Sequence, residues 1–373
     1  MTRFTARVER DLGQIADRAT PSSTAWEAIQ QRIAEQDTSE STTEVIMLAP
    51  NENQSASRTR AWIMVAAAIA VLALIGGLIV ATTGEDDQVP VDEPEPTTPA
   101  VEGAVTIPVG PNPDALAFDG TNLWVTSLDD NTVSKIDPTS GTRVDYDTGD
   151  FPEDVLFDGT NIWIANLRGE SVSKVNTDDG TRIDYELGVN AFPGALAYDG
   201  NSIWISNNGN STVSKMNPDD GSRVDFGSAP NPRGITFDGT SIWIVNEDGV
   251  SRMDPDDGTR VDFDAGADPW DIVFDGTSIW VANLGDDTVS KFNIDDGSRV
   301  DFPTGREPFD LTFDGTSVWV ANRVDGTVSQ INPDDGTRVD YTVGNVPRAV
   351  VSDGTGIWVA NGTDATVTRI TPE

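Results

Sequence analysis

Seven copies of the phrase Asp-Gly-x-x-[Ile/Leu/Val]-Trp place tryptophans at positions 124, 163, 204, 243, 280, 319 and 358, with spacings of 39, 41, 39, 37, 39 and 39. A period near forty, filled with short alternating apolar runs, restricts the chain to few architectures. A unit of this size cannot bury its apolar face alone and must stack on copies of itself. Helical solenoids share the period, but no 3.6-residue periodicity runs through these units, whereas four short strands fit in each. One unit reads as strand a at Gly234–Phe237, an Asp238-Gly239 turn, and strand b at Ser241–Asn246. The preceding unit gives strand c at Thr212–Asn217, a Pro218–Gly221 turn and strand d at Ser222–Phe226. Asp-Gly and Pro-Asp-Asp-Gly are tight-turn sequences, with Pro fixing φ and Gly accepting a left-handed conformation.

The two ends of the periodic region are complementary. The seventh unit stops after strand c, Ala365–Ile370, while Ala104–Gly110 (AVTIPVG) has the pattern of the strand d at Asp340–Gly344. The expected fold class is therefore all-β, a seven-bladed β-propeller closed by an N-terminal strand d. Such closure removes an open edge that would invite aggregation.

The segment FDGTSIWVAN followed by TVSKFNIDDGSRVDF resembles the bacterial YVTN, NHL and streptogramin-lyase-like propeller repeats, and the resemblance extends over residues 104–373. The lyases of that group use an active-site His and a divalent metal held by acidic residues. This chain has no His, so the resemblance implies the fold and not that activity. Lactonase-like propellers hold calcium in the central channel, and no ligand set matching theirs is evident in the sequence.

Composition narrows function further. Lys plus Arg total 24 against 62 Asp plus Glu, a formal charge of −38. A nucleic-acid partner is excluded, because binding phosphates requires a basic footprint. Without Cys or His, disulfides, thiolate or imidazole metal sites and Ser-His or Cys-His nucleophiles are absent. The acidic excess would keep the propeller soluble at high ionic strength.

Ahead of the repeats, Ala61–Ala81 (AWIMVAAAIAVLALIGGLIVA) carries no charge over twenty-one residues. That is about 30 Å of helix, the hydrocarbon thickness of a bilayer. Arg58 and Arg60 precede it, and the stretch from Gly84 to Gly103 holds seven acids and no base. By the positive-inside rule the N-terminus is cytoplasmic and the bulk of the chain extracellular. The expected organisation is a partly helical or disordered cytoplasmic tail (1–60), a single transmembrane helix (61–82), an acidic Pro-rich stalk (83–103) and the propeller (104–373). Within the tail, residues 1–36 hold two amphipathic patterns, one of them starting at a Thr24–Glu27 capping box, and could dock a cytosolic partner.

Comparing the repeats with one another separates scaffold from candidate site. The blade tryptophans and the a–b and c–d turns are uniform, and the loops joining d to a and b to c vary. The positions after the d–a loop prolines are Asp114, Glu153, Gly194, Arg233, Trp270, Phe309 and Arg348. Arg168, Arg306 and Arg323 add charge on the same top face. Arginine and aromatic residues dominate binding hot spots and carboxylate recognition, so Arg233, Trp270, Arg306, Phe309, Arg323 and Arg348 are the candidate ligand-binding set. The expected function is a non-enzymatic module for a protein, glycan or small molecule, needing no cofactor. The alternative is a hydrolase or lyase with a divalent cation such as calcium, held by Asp114, Glu153, Asp154, Asp271 and Asp310 at the channel mouth. The Asp-rich c–d turns are not calcium loops. In Asp254–Gly258 the acids stand at positions 1, 3 and 4 with Gly at 5, against the 1, 3, 5 and Gly-6 spacing of an EF-hand.

Overall fold

The computed structural model describes residues 105–371, and these form seven four-stranded antiparallel sheets. Blade 1 consists of Pro113–Phe118, Leu123–Ser127, Thr132–Ile136 and Arg143–Asp147, strands a to d from the axis outward. The six later blades repeat the order. The seventh takes its first three strands from Pro347–Ser352, Ile357–Asn361 and Thr366–Ile370. Its fourth is Val105–Pro108, which pairs antiparallel with Thr366–Ile370, Val105 opposite Arg369 and Pro108 opposite Thr366. Each strand a adjoins that of the next blade, and Pro347–Ser352 adjoins Pro113–Phe118, so the ring is closed. The tail, the Ala61–Ala81 span and the stalk lie outside the described residues. Among the described residues no helix is long and apolar enough to cross a membrane.

The repeated phrase folds as it does because one Asp performs two tasks. In every blade the turn Asp accepts an indole hydrogen bond from Trp Nε1 five residues later, at 2.6–2.9 Å. Its other oxygen accepts backbone N–H groups two and three residues on, as Asp238 does from Thr240 and Ser241. The Trp can then be buried completely with no orphaned donor, and all seven are 0% exposed. In six blades its ring packs on a strand d aromatic (Tyr146, Tyr185, Phe226, Phe263, Phe302, Tyr341), centroids 5.4–5.9 Å apart. The apolar residues of adjacent sheets interdigitate, giving seven separate cores.

The outer strands carry a polar chain. A Ser on strand c donates to an Asp on strand d at 2.6–2.7 Å in six blades. The same Asp pairs with the Arg two residues before it, as Arg223 does with Asp225 at 3.0 Å. Two further contacts join neighbouring blades. The strand c cation donates to a c–d turn carbonyl of the next blade, for example Lys135 to Thr177 O at 2.7 Å. The turn Gly of that next blade lies on the strand d ring behind it. A Cβ on Gly180, which has φ +71°, would come within 2.0 Å of the Tyr146 ring.

Strand a enters under strain. The residue before each entry proline is left-handed in all seven blades, with φ of 47–60°, including Phe151, Phe192 and Val346. In six blades the pairing with strand b then slips at the first residues of strand a. A bulge of this kind re-aims side chains, here at the channel mouth. In blade 4 the strand begins at Ile235 and not at the expected Gly234. Gly234 instead donates its N–H to Trp270 O of the next blade at 3.1 Å, an approach at which a Cβ would lie 2.8 Å from Asp271 Cα.

Two outcomes follow. Asp238→Ala orphans the buried Trp243 indole and should lower unfolding free energy by about 2 kcal/mol, read from urea unfolding. Val346→Asn tolerates the left-handed conformation that a β-branched residue resists and should raise it by about 1 kcal/mol, of the order known for relieving such backbone mismatches.

Candidate binding site at the channel mouth

Strand a of each blade runs from the top face to the bottom, so the residue after each entry proline sits at the top of the axial channel. Four of the six sequence-nominated ligand residues form one continuous stack there. The Arg233 guanidinium lies 4.5 Å from the Trp270 ring centroid. Trp270 and Phe309 are 5.0 Å apart, tilted by 30°, and the Arg323 guanidinium lies 5.1 Å from Phe309. The cations are held by acids on loops between blades. Arg233 pairs with Asp268 at 2.5 Å and also donates to Pro269 O at 2.8 Å. Arg323 pairs with Glu307 at 2.7 Å. The arc spans blades 4 to 6.

The remaining two nominated residues lie elsewhere. Arg306 points outward, its side chain 64% exposed, in a pair with Asp325 at 2.6 Å. Arg348 turns to the opposite side and pairs with Asp114 of blade 1 at 2.6 Å. Its Nε is buried with no hydrogen-bond partner, and so is Oε2 of Glu153. Arg168, nominated only as a neighbour, lies over Phe151 at 3.9 Å to the centroid. The mouth is therefore two-sided: an arginine–aromatic arc occupies blades 4 to 6, Arg348, Asp114 and Glu153 occupy blades 7, 1 and 2, and Gly194 of blade 3 lies between them.

The carboxylates crowd one another. Burial pushes the Glu153 carboxyl up to about 8, with Asp114 and Asp154 adding repulsion and Arg348 and Arg168 opposing it. Burial also raises Asp154 to about 7, against hydrogen bonds from the Leu196 and Val155 backbone. Asp114 is raised by burial and held back by Arg348. Deeper in the channel Asp271 and Asp310 share a hydrogen bond, and burial together with its neighbour's charge holds Asp310 well above the carboxylate range.

Three of these five acids act as braces. Asp154 accepts the Leu196 N–H at 2.7 Å, Asp271 the Leu311 N–H at 3.1 Å, and Asp310 the Val350 N–H at 2.6 Å. Each bond ties one strand a to the next. Among the described residues no group of three or more acidic side chains is placed to hold a metal ion. The residues present do not fit the acid-held divalent cation that the resemblance implies for a lyase, since three of the five acids are taken up by backbone N–H groups of neighbouring strands.

Sequence reading missed the acids that hold the arc. Asp268-Pro-Trp270 and Glu307-Pro-Phe309 repeat an acid-Pro-aromatic order in adjacent blades, a signal that would have paired each acid with an arginine on a neighbouring loop.

With this geometry in place, comparison with known proteins is informative about architecture. No protein-family model matches the chain, and no curated protein sequence does. Solved structures do match. A streptogramin B lyase structure superposes with TM-score 0.64 at 15% identity, covering 73% of this chain and 99% of that one. A catalytically inactive virginiamycin B lyase from Staphylococcus aureus with quinupristin gives TM-score 0.65 at 16% identity, covering 72% and 99%. The likeness is one of fold. The WD40 propeller domain of Doa1 matches comparably, with TM-score 0.60 at 13% identity over 72% and 96% of the chains. The seven-bladed propeller expected from the repeats is thus common to lyases and to WD40 domains.

The raised Glu153 carboxyl has a signed consequence. Between about pH 4.5 and 8 the folded chain keeps a proton that the unfolded chain has released, so this group makes stability fall as pH rises through that window. Glu153→Gln should match the parent near pH 4.5, exceed it increasingly up to about pH 8 and hold that margin above, read from urea midpoints at each pH.

Proposed function

We propose that this protein is a membrane-anchored, extracytoplasmic propeller that binds a protein or glycan partner through its top face. The asymmetry of the channel mouth carries the reading. The bottom turns repeat from blade to blade, whereas the top gathers Arg233, Trp270, Phe309 and Arg323 into one arc opposite Arg348, Asp114 and Glu153. A ring of equivalent positions needs no such departure to fold, and an asymmetric rim is what recognition of a single ligand requires. Aromatic and arginine side chains are the groups from which hot spots are made. The uncharged Ala61–Ala81 segment, with arginines before it and acids after it, supports a single-pass anchor with the propeller outside.

The closing strand starts beside Arg369, at the bottom end of its sheet, and finishes beside Thr366 at the top. The chain thus enters the propeller on the face opposite the proposed binding surface. The WD40 propeller of Doa1 and the lyases share this architecture, which supports a general interaction scaffold and does not select among ligands.

The test immobilises the detergent-solubilised full chain and challenges it with solubilised envelope extract. Saturable capture that falls about tenfold or more in Trp270→Ala and in Phe309→Ala, the loss typical of a hot spot, supports the reading. Because the stack also joins blades, each variant's melting temperature is measured alongside. Equal capture by folded variants, or no saturable capture by the parent, refutes it.

A further inference from the structure

We propose that the closing strand, Val105–Pro108, is a releasable latch that detaches from Thr366–Ile370 while the rest of the ring stays folded. The inference rests on a difference between junctions. Five of the seven blade junctions carry both inter-blade locks. The strand c cation reaches the next turn from Lys135, Lys174, Lys215, Arg252 and Lys291. The turn glycines Gly180, Gly221, Gly258, Gly297 and Gly336 lie on Tyr146, Tyr185, Phe226, Phe263 and Phe302 in turn.

Among the described residues, the junction of blade 7 with blade 1 carries neither lock. At the 6–7 junction Gln330 replaces the cation and donates to Ser317 within its own blade. In blade 7 Arg369 folds back onto Asp353 and Thr355. Ile107 stands where six other blades place an aromatic, and Gly141 of blade 1, still left-handed at φ +70°, has nothing within 4 Å of its Cβ position. Among the described residues, no ring occupies that seat.

The closing strand also lacks the polar chain. Thr106 occupies the position of the strand d Asp and faces Thr368 at 3.4 Å, against 2.6–2.7 Å for the six Ser–Asp bonds. What holds the strand is its backbone pairing, the bond from Val109 N to Ala365 O, and the burial of Ile107 and Val109. From blade 1 Arg143 adds only a long 3.5 Å bond to Pro108 O. Nearer the axis blade 7 is secured independently, by Arg348 to Asp114 and by Val350 N to Asp310. Release of the outer strand therefore leaves the inner ring intact. It bares the edge of Thr366–Ile370 as a pairing surface, and it frees residues 105–111, up to the bond between Asn112 O and Leu128 N, to extend the preceding segment by about 23 Å.

Hydrogen–deuterium exchange on the detergent-solubilised full chain reads this directly, since local opening exposes amides that global unfolding does not distinguish. Amides paired between Val105–Pro108 and Thr366–Ile370 are expected to exchange at least tenfold faster than those between Thr212–Met216 and Arg223–Gly227 of blade 3. The variant Ile107→Tyr, which fills the seat over Gly141, should slow that exchange at least threefold, and Thr106→Asp with Ile107→Tyr should slow it further. Equal protection of the two strand pairs in the parent overturns the proposal. So does unchanged exchange at the closing strand in an Ile107→Tyr variant that melts no lower than the parent.

Discussion

The hydrogen bond from each blade tryptophan to its turn aspartate is the contact on which the rest of the ring depends. An indole is large enough to fill the space between two sheets, but its N–H cannot be buried without an acceptor. Placing that acceptor five residues earlier, in the hairpin that starts the same strand, settles both demands locally. The hairpin cannot slip without stranding the indole, and the indole cannot rotate without opening the hairpin. With the a–b register fixed in this way, the strand d ring meets the Trp at a nearly constant distance from blade to blade, and the next blade's turn glycine lies on that ring.

Within that frame the chain deploys its few cations sparingly. All four lysines stretch along a blade tryptophan and end on a carbonyl of the next blade. The strand d arginines are each paired with an aspartate two residues on. Among the described residues of this acidic chain, the top-face arginines are the cations placed to shape a site at the channel mouth, and Arg233, Arg306 and Arg323 are held by loop acids. Isolated exposed pairs contribute little to stability. Their role here is to hold guanidinium planes in place over aromatic rings.

How much of this was legible in sequence depended on the range of the interaction. The period, the turn chemistry and the complementarity of Ala104–Gly110 with the open last unit are local patterns, so blade number and closure followed from them. Convergence of Arg233, Trp270, Phe309 and Arg323 followed too, because equivalent positions in adjacent blades are neighbours in a ring. Arg306 and Arg348 did not join them, since their partners, Asp325 and Asp114, lie on a neighbouring loop and across the closure. The use of Asp154, Asp271 and Asp310 as braces was hidden for a similar reason. A carboxylate at a channel reads as a ligand until the N–H of the next strand is seen beside it. The tail, the Ala61–Ala81 span and the stalk lie outside the described residues, so their reading still stands on hydropathy and charge.

The inter-blade locks have a property that becomes visible when the units are considered as building blocks. Blades 1 to 5 each contribute one half of a lock forward, through the strand c cation and strand d ring, and blades 2 to 6 each contribute one half backward, through the c–d turn. A unit copied in register would therefore arrive with both halves and fasten to its neighbours without any new residue. Growth of such a chain by tandem duplication needs innovation only at its two termini, and that is where Gln330, Arg369 and Ile107 break the pattern.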